Sequence, residues 1–163
     1  MIGQLQLAER FEKGEGVRAD IEQAAIWYRK AADQGSVIAQ GALGDCYYLG
    51  KGVPKDYMQA VYWWRKSSAQ GWYKAQTSLS NAYLKGEGVS KDVIEAYAYL
   101  NLAGATNEDA RASLAKLEKE LSMEQVYAAQ KRTDQIRKVD AAKCEAEYRA
   151  AGDTWTDKEF EKV

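Results

Sequence analysis

Two short stretches of this 163-residue chain have residue types that could do chemistry. Gly50-Lys51-Gly52-Val53 sets a lysine between two glycines ahead of a segment with helical spacing. Backbone N–H groups converging at a helix N-terminus cradle phosphate in that way. Ser113-Leu114-Ala115-Lys116 spells SxxK, the nucleophile spacing of penicillin-recognising enzymes. Neither pattern extends. There is no GxxxxGK[ST], no third glycine at GxGxxG spacing, no β-branched run ahead of the glycines, and no KTG or SDN to accompany the serine. The chain has no histidine, which excludes His-dependent triads and His-ligated zinc. Cys46 and Cys144 are far apart and neither has a near partner, so they form no disulfide framework or metal-ligand cluster. No cofactor or metal is expected.

Charge narrows the partners. Lys and Arg total 23 against 24 Asp and Glu, so no bulk attraction to nucleic acid or anionic membrane is expected. No apolar run approaches the roughly 20 residues of a membrane span. The opening "MIGQLQLAERF" has neither a basic n-region nor an uninterrupted h-region, so no signal peptide is expected. The expected setting is aqueous, cytoplasmic or periplasmic.

The elements around the glycines explain them. Gly14-Glu15-Gly16-Val17, Gly50-Lys51-Gly52-Val53 and Gly86-Glu87-Gly88-Val89 recur at a fixed interval, and their surroundings keep step. Leu7, Leu43 and Leu79 share a register, as do Phe11, Tyr47 and Tyr83, then Asp20, Asp56 and Asp92, then Trp27, Trp63 and Tyr99. A phosphate cradle has no reason to occur three times, so the glycines are read as turns with positive φ between two helices. In the middle unit Ala39, Leu43 and Tyr47 form one apolar stripe at four-residue spacing. Asp56 fits an N-cap with Gln59 three residues on, a box repeated as Asp20/Gln23 and Asp92/Glu95. The second helix carries Ala60, Trp63, Trp64, Ser67 and Ser68, and Gly71 suits a left-handed C-cap, a role in which Asn107 is the expected substitute. One helix pair cannot bury both stripes. Stacked pairs must share a core, and the predicted fold is all-α, an α-solenoid.

The pattern A-x3-LG-x2-Y-x2-GxGV-x2-D-x3-A-x2-W-x3-AA-x2-G, fullest in Ala39 to Gly71, resembles the Sel-1-like repeat, a relative of the tetratricopeptide repeat. The units run 3–38, 39–74 and 75–109, with a half unit at 110–121, so the solenoid is predicted over 1–121. Ser80 replaces the glycine after Leu79, Ser67 and Ser68 replace the alanine pair, and unit three is one residue short. Residues 122–163 are read as a C-terminal capping helix and tail. That helix starts with a box of Ser122 and Gln125, continues through Val139, Ala142 and Ala146, breaks at Gly152, and leaves Trp155 and Phe160 in the tail.

The resemblance implies a non-enzymatic scaffold of bacterial signalling or envelope systems that holds a protein or peptide on its concave face. Positions opposite the apolar stripe of each first helix should line that groove. They are Leu5, Glu9 and Glu12; Gly41, Asp45 and Tyr48; and Thr77, Asn81 and Leu84. Asp45, Tyr48, Asn81 and Leu84 make a mixed strip suited to an extended peptide, Asn81 for a backbone amide and Tyr48 and Leu84 for apolar side chains. The extra aromatics Tyr62, Trp72 and Tyr73 form a second candidate surface. Self-assembly through the N-terminal repeat or the last helix is the alternative. Some cysteine-rich relatives have been linked to β-lactam binding, but they staple each unit with a cysteine pair that Cys46 lacks here.

Overall fold

An apolar stripe, a pair of glycines and an aspartate cap dictate two antiparallel helices. The computed structural model, which describes residues 2–137, repeats that pair three times. The pairs are α1 (Ile2–Lys13) with α2 (Ile21–Asp33), α3 (Val37–Leu49) with α4 (Tyr57–Ala69), and α5 (Tyr73–Lys85) with α6 (Val93–Gly104). Two further helices follow, α7 (Glu108–Glu118) and α8 (Met123–Ile136). The described residues contain no strand, and no helix among them is long and apolar enough to cross a membrane.

The caps do what their residue types require. Asp20 accepts from the Gln23 amide at 3.0 Å, Asp56 from Met58 at 2.8 Å and Gln59 at 3.0 Å, and Asp92 from Ile94 at 2.8 Å and Glu95 at 3.1 Å. Each satisfies N–H groups that the first turn leaves orphaned. The six turn glycines adopt φ between +70° and +77°, where a side chain is disfavoured. The second glycine of the turn has a further reason. A Cβ on Gly52 would run into the carbonyl oxygen of Ile21, and one on Gly88 into that of Tyr57. Each turn therefore sits directly on the first residue of the second helix in the preceding unit.

The stripe Ala39, Leu43 and Tyr47 is closed to solvent, and so are Trp63, Trp64, Ser67 and Ser68 on the facing helix. Bulk on one helix is matched by absence on the other. A Cβ on Gly44 would overlap the Trp64 indole, so glycine is required there. At the same register unit one pairs Ala8 with Tyr28 and unit three pairs Ser80 with Leu100, smaller partners that leave room for a side chain.

One expectation changes. Asn107 is not a left-handed C-cap: its φ is −136° and its side chain N-caps α7, accepting from the Ala110 amide at 2.9 Å. Unit three lost its one residue between α6 and α7, so Asn107 corresponds to Ser36 and Trp72, the N-caps of α3 and α5, and no left-handed residue intervenes. The last helix lies against the third pair. α8, started by the reciprocal box of Ser122 and Gln125, packs on α6 instead of pairing back on α7. It buries Ala129 and Thr133 there, and Arg132 pairs with Glu95, while Met123 and Tyr127 face solvent. The expected continuation through Val139, Ala142 and Ala146, together with Cys144, Gly152, Trp155 and Phe160, lies outside the described residues.

Candidate functional site

Successive first helices α3 and α5 lie beside one another with a cleft of about 130 Å³ between them. Ile38, Gly41 and Asp45 come from α3, Trp64 from α4, and Trp72 and Lys74 from the start of α5. Helical spacing of Ile38, Gly41 and Asp45 puts them on one face. Gly41 has no side chain to hold Trp72 off; a Cβ there would stand 3.1 Å from the indole. Trp64 reaches the cleft from behind, its Nε1 donating to Asp45 Oδ1 at 2.9 Å across the gap left by Gly44.

Trp72 occupies this site at a cost to its own helix. It is the N-cap residue of α5 and makes no side-chain cap hydrogen bond, whereas Ser36 caps α3 and Asn107 caps α7 from the equivalent place. Forgoing such a cap costs about 1 kcal/mol. A local rule broken in one unit and kept in its neighbours marks a position held for another purpose.

Asp45 is exposed at the mouth of the cleft, and partial desolvation by the neighbouring protein pushes its carboxyl above the usual range. The Trp64 hydrogen bond and Lys74 work against that shift, and so does Lys51, while Glu12 adds to it. Among the described residues no cation forms an ion pair with Asp45. Lys74 instead holds its Nζ over the Trp72 ring, 5.7 Å from the centroid. The strip continues into a second cleft of about 310 Å³, where Tyr73, Lys74 and Thr77 of α5 face Asn107, Asp109 and Ser113 of α7. The Thr77 hydroxyl is taken up by the Tyr73 carbonyl at 3.0 Å.

The remaining sequence candidates divide. Tyr48 is half-buried and fastened: its ring lies 5.4 Å from Trp64 and 5.3 Å from Tyr57, and its hydroxyl donates to Glu87 at 2.9 Å and accepts from Lys85 at 3.2 Å. It thus forms a wall of the strip by bracing α3 to the next turn. Asn81 is exposed and has no hydrogen bond among the described residues, while Leu84 packs on the core. Glu9 is half-buried on α1, and its neighbour Glu12 accepts from the Tyr28 hydroxyl at 2.6 Å, which with burial raises the phenol's pKa. Tyr62 is not part of the cleft. It lies edge-on to Trp63 on α4, with the Lys66 ammonium 5.1 Å from its ring.

The SxxK serine is not set up as a nucleophile. Ser113 donates its hydroxyl proton to the Asp109 carbonyl one turn back, at 2.9 Å, and among the described residues it has no hydrogen bond to a base. Cys46 is buried, and desolvation with Glu12 and Asp45 nearby pushes its thiol up to about 12, so it stays protonated at neutral pH. Sequence reading assigned Trp64 to the core alone and passed over Lys74 and Ile38. Gly44 beside Asp45 was the available signal, since a glycine inside a helix costs stability unless something approaches it closely.

Residues 2–36, 37–72 and 74–105 match a family model described as Sel1 repeat. Among solved structures the chain is similar to a Sel1 repeat protein from Oxalobacter formigenes, with 33% identity and a TM-score of 0.67 over 69% of this chain and 47% of that one. It is also similar to c5321, a protective antigen present in uropathogenic Escherichia coli strains and displaying an SLR fold, with 30% identity and a TM-score of 0.65 over 91% of this chain and 40% of that one. The chain thus spans less than half the length of either protein. No curated protein matches.

Proposed function

The chain belongs to the Sel1 repeat family, and from that premise we propose that it holds an extended protein segment along its first helices α1, α3 and α5, as an adaptor or scaffold. Sel1 repeats generally mediate protein–protein interactions and are generally not catalytic. The observation that carries the reading is Trp72, an indole set at an N-cap that it cannot serve, walling a cleft with Asp45 at its mouth. Amphipathic aromatics such as tryptophan are common anchors of such contacts. Thr77, Asn81 and Leu84 extend the strip beyond the cleft, and Glu9 and Tyr48 flank it toward α1 and the next turn. Bacterial signalling or envelope assembly is the setting the family suggests.

Trp72→Ser separates fold from function because serine restores the cap that Ser36 gives α3. Immobilised wild type, Trp72→Ser and Tyr62→Ala are to be compared for proteins retained from a lysate of the source cells. A protein held by wild type and Tyr62→Ala but lost from Trp72→Ser supports the groove. Loss with Tyr62→Ala alone moves the contact to α4 and refutes it. A second reading, assembly with copies of the chain, has one observation behind it: Gly16 occupies the place of Gly52 and Gly88 but meets only the Arg10 side chain. Sedimentation of a single species at the monomer mass across concentration would remove that reading.

A further inference from the structure

The cleft between α3 and α5 has an exposed carboxylate, Asp45, at its mouth. Among the described residues Asp45 accepts one neutral hydrogen bond, from Trp64, and forms no ion pair. Glu12 adds negative potential at Asp45, and Lys74 and Lys51 oppose it from a distance. Facing Asp45 is an indole whose ring already attracts an ammonium, that of Lys74. An electron-rich ring face and a carboxylate mouth both favour positive charge. Asp45 is exposed at the mouth and open to an incoming cation. About 130 Å³ is room for the end of one side chain, not for a helix or a folded domain.

We propose that this cleft receives a basic side chain from the held segment, its charged head between Asp45 and the Trp72 ring and its stem along Ile38. This inference rests on the groove reading. Lys74 is the intramolecular stand-in, parked on the ring until a partner's cation displaces it. The unbound cleft therefore keeps its indole covered, and the partner is recognised by an exchange of one cation for another that also reaches Asp45.

The indole N–H resonances of Trp64 and Trp72 report directly on the two walls. The intact chain is to be titrated with acetyl-Gly-Arg-Gly-amide, acetyl-Gly-Leu-Gly-amide and acetyl-Gly-Glu-Gly-amide. The arginine peptide should shift both resonances saturably, with affinity in the millimolar range expected of a single side chain, on the order of 1 mM. Asp45→Asn keeps an acceptor for Trp64 and so keeps the fold; it should weaken binding at least about tenfold. No saturable shift with the arginine peptide up to about 10 mM, or undiminished binding by Asp45→Asn, overturns the inference. Equal binding of the leucine peptide overturns it too, while leaving the groove reading intact. That reading is judged by the Trp72→Ser capture, which does not depend on the partner's charge, so the two can fail separately.

Discussion

The middle pair, α3 with α4, and the last two helices, α7 with α8, begin from the same kind of sequence and end differently. In the middle pair Leu43, Tyr47 and Trp63 are closed to solvent, and the Trp64 indole is seated against Gly44. In α7 only Ala110 is buried, Leu114 is half-buried, and α8 packs on α6 instead of on α7. Both regions have sound caps, Asp56 in one and Asn107 and Ser122 in the other. Capping therefore decides where these helices start, and matched volume decides which of them carry the structure.

The largest expected effect breaks the middle pair at its junction with unit one. Gly52→Val adds a branched side chain at φ +70° and pushes it into the Ile21 carbonyl. A loss of about 4–5 kcal/mol is expected in denaturant unfolding. Gly16→Val has nearly the same φ of +73° but meets only the flexible Arg10 side chain, and should lose about 1–2 kcal/mol. Equal losses would mean that strain alone matters and that the seat on the preceding unit is unimportant. The next test compares cores: Trp63→Ala should cost about 3–4 kcal/mol and Leu114→Ala about 1 kcal/mol or less. Similar values would erase the distinction between the two regions.

The smallest effect is a pH dependence confined to the cleft. Because folding raises the Asp45 pKa, its protonated form is the one that the fold favours. The associated stability is present in full below the unfolded value of 3.8 and is lost as pH rises through the raised value. Wild type should therefore gain on Asp45→Asn between neutral pH and about pH 4, by no more than about 0.5 kcal/mol given solvent at the cleft mouth. Desolvation sets the shift and Glu12 adds to it, while Trp64, Lys74 and Lys51 oppose it, so Lys74→Met should enlarge it. Unfolding midpoints of the two chains that stay parallel across this range would show that Asp45 is as well hydrated folded as unfolded.

Most of the architecture was legible because its signals are local. A turn glycine, an aspartate cap and a four-residue stripe each act within a few residues, and repetition in three units turned weak signals into a pattern. Asn107 was misread for the same reason. One missing residue moved it from the place of Gly71 to that of Trp72, and an asparagine suits either role. The cleft was only partly legible. Asp45 and Trp72 stood out, but as members of two separate surfaces, and their meeting depends on how far α3 stands from α5. Gly41 bears on that distance through the Trp72 indole at the start of the next pair, while Gly44 seats Trp64 within its own pair. Tyr48 was chosen as an open anchor, and its bond to Glu87, 39 residues away, could not be foreseen from spacing along one helix.

The seat of each second turn glycine on the preceding helix has a consequence for how such a chain can lengthen or shorten over generations. A residue gained or lost between a first helix and its partner would slide a Cβ onto the neighbouring carbonyl and unstack the units. The connection from one pair to the next carries no such gauge. The missing residue of unit three falls there, between Gly104 and Asn107, in the joint where drift in length leaves the stack aligned.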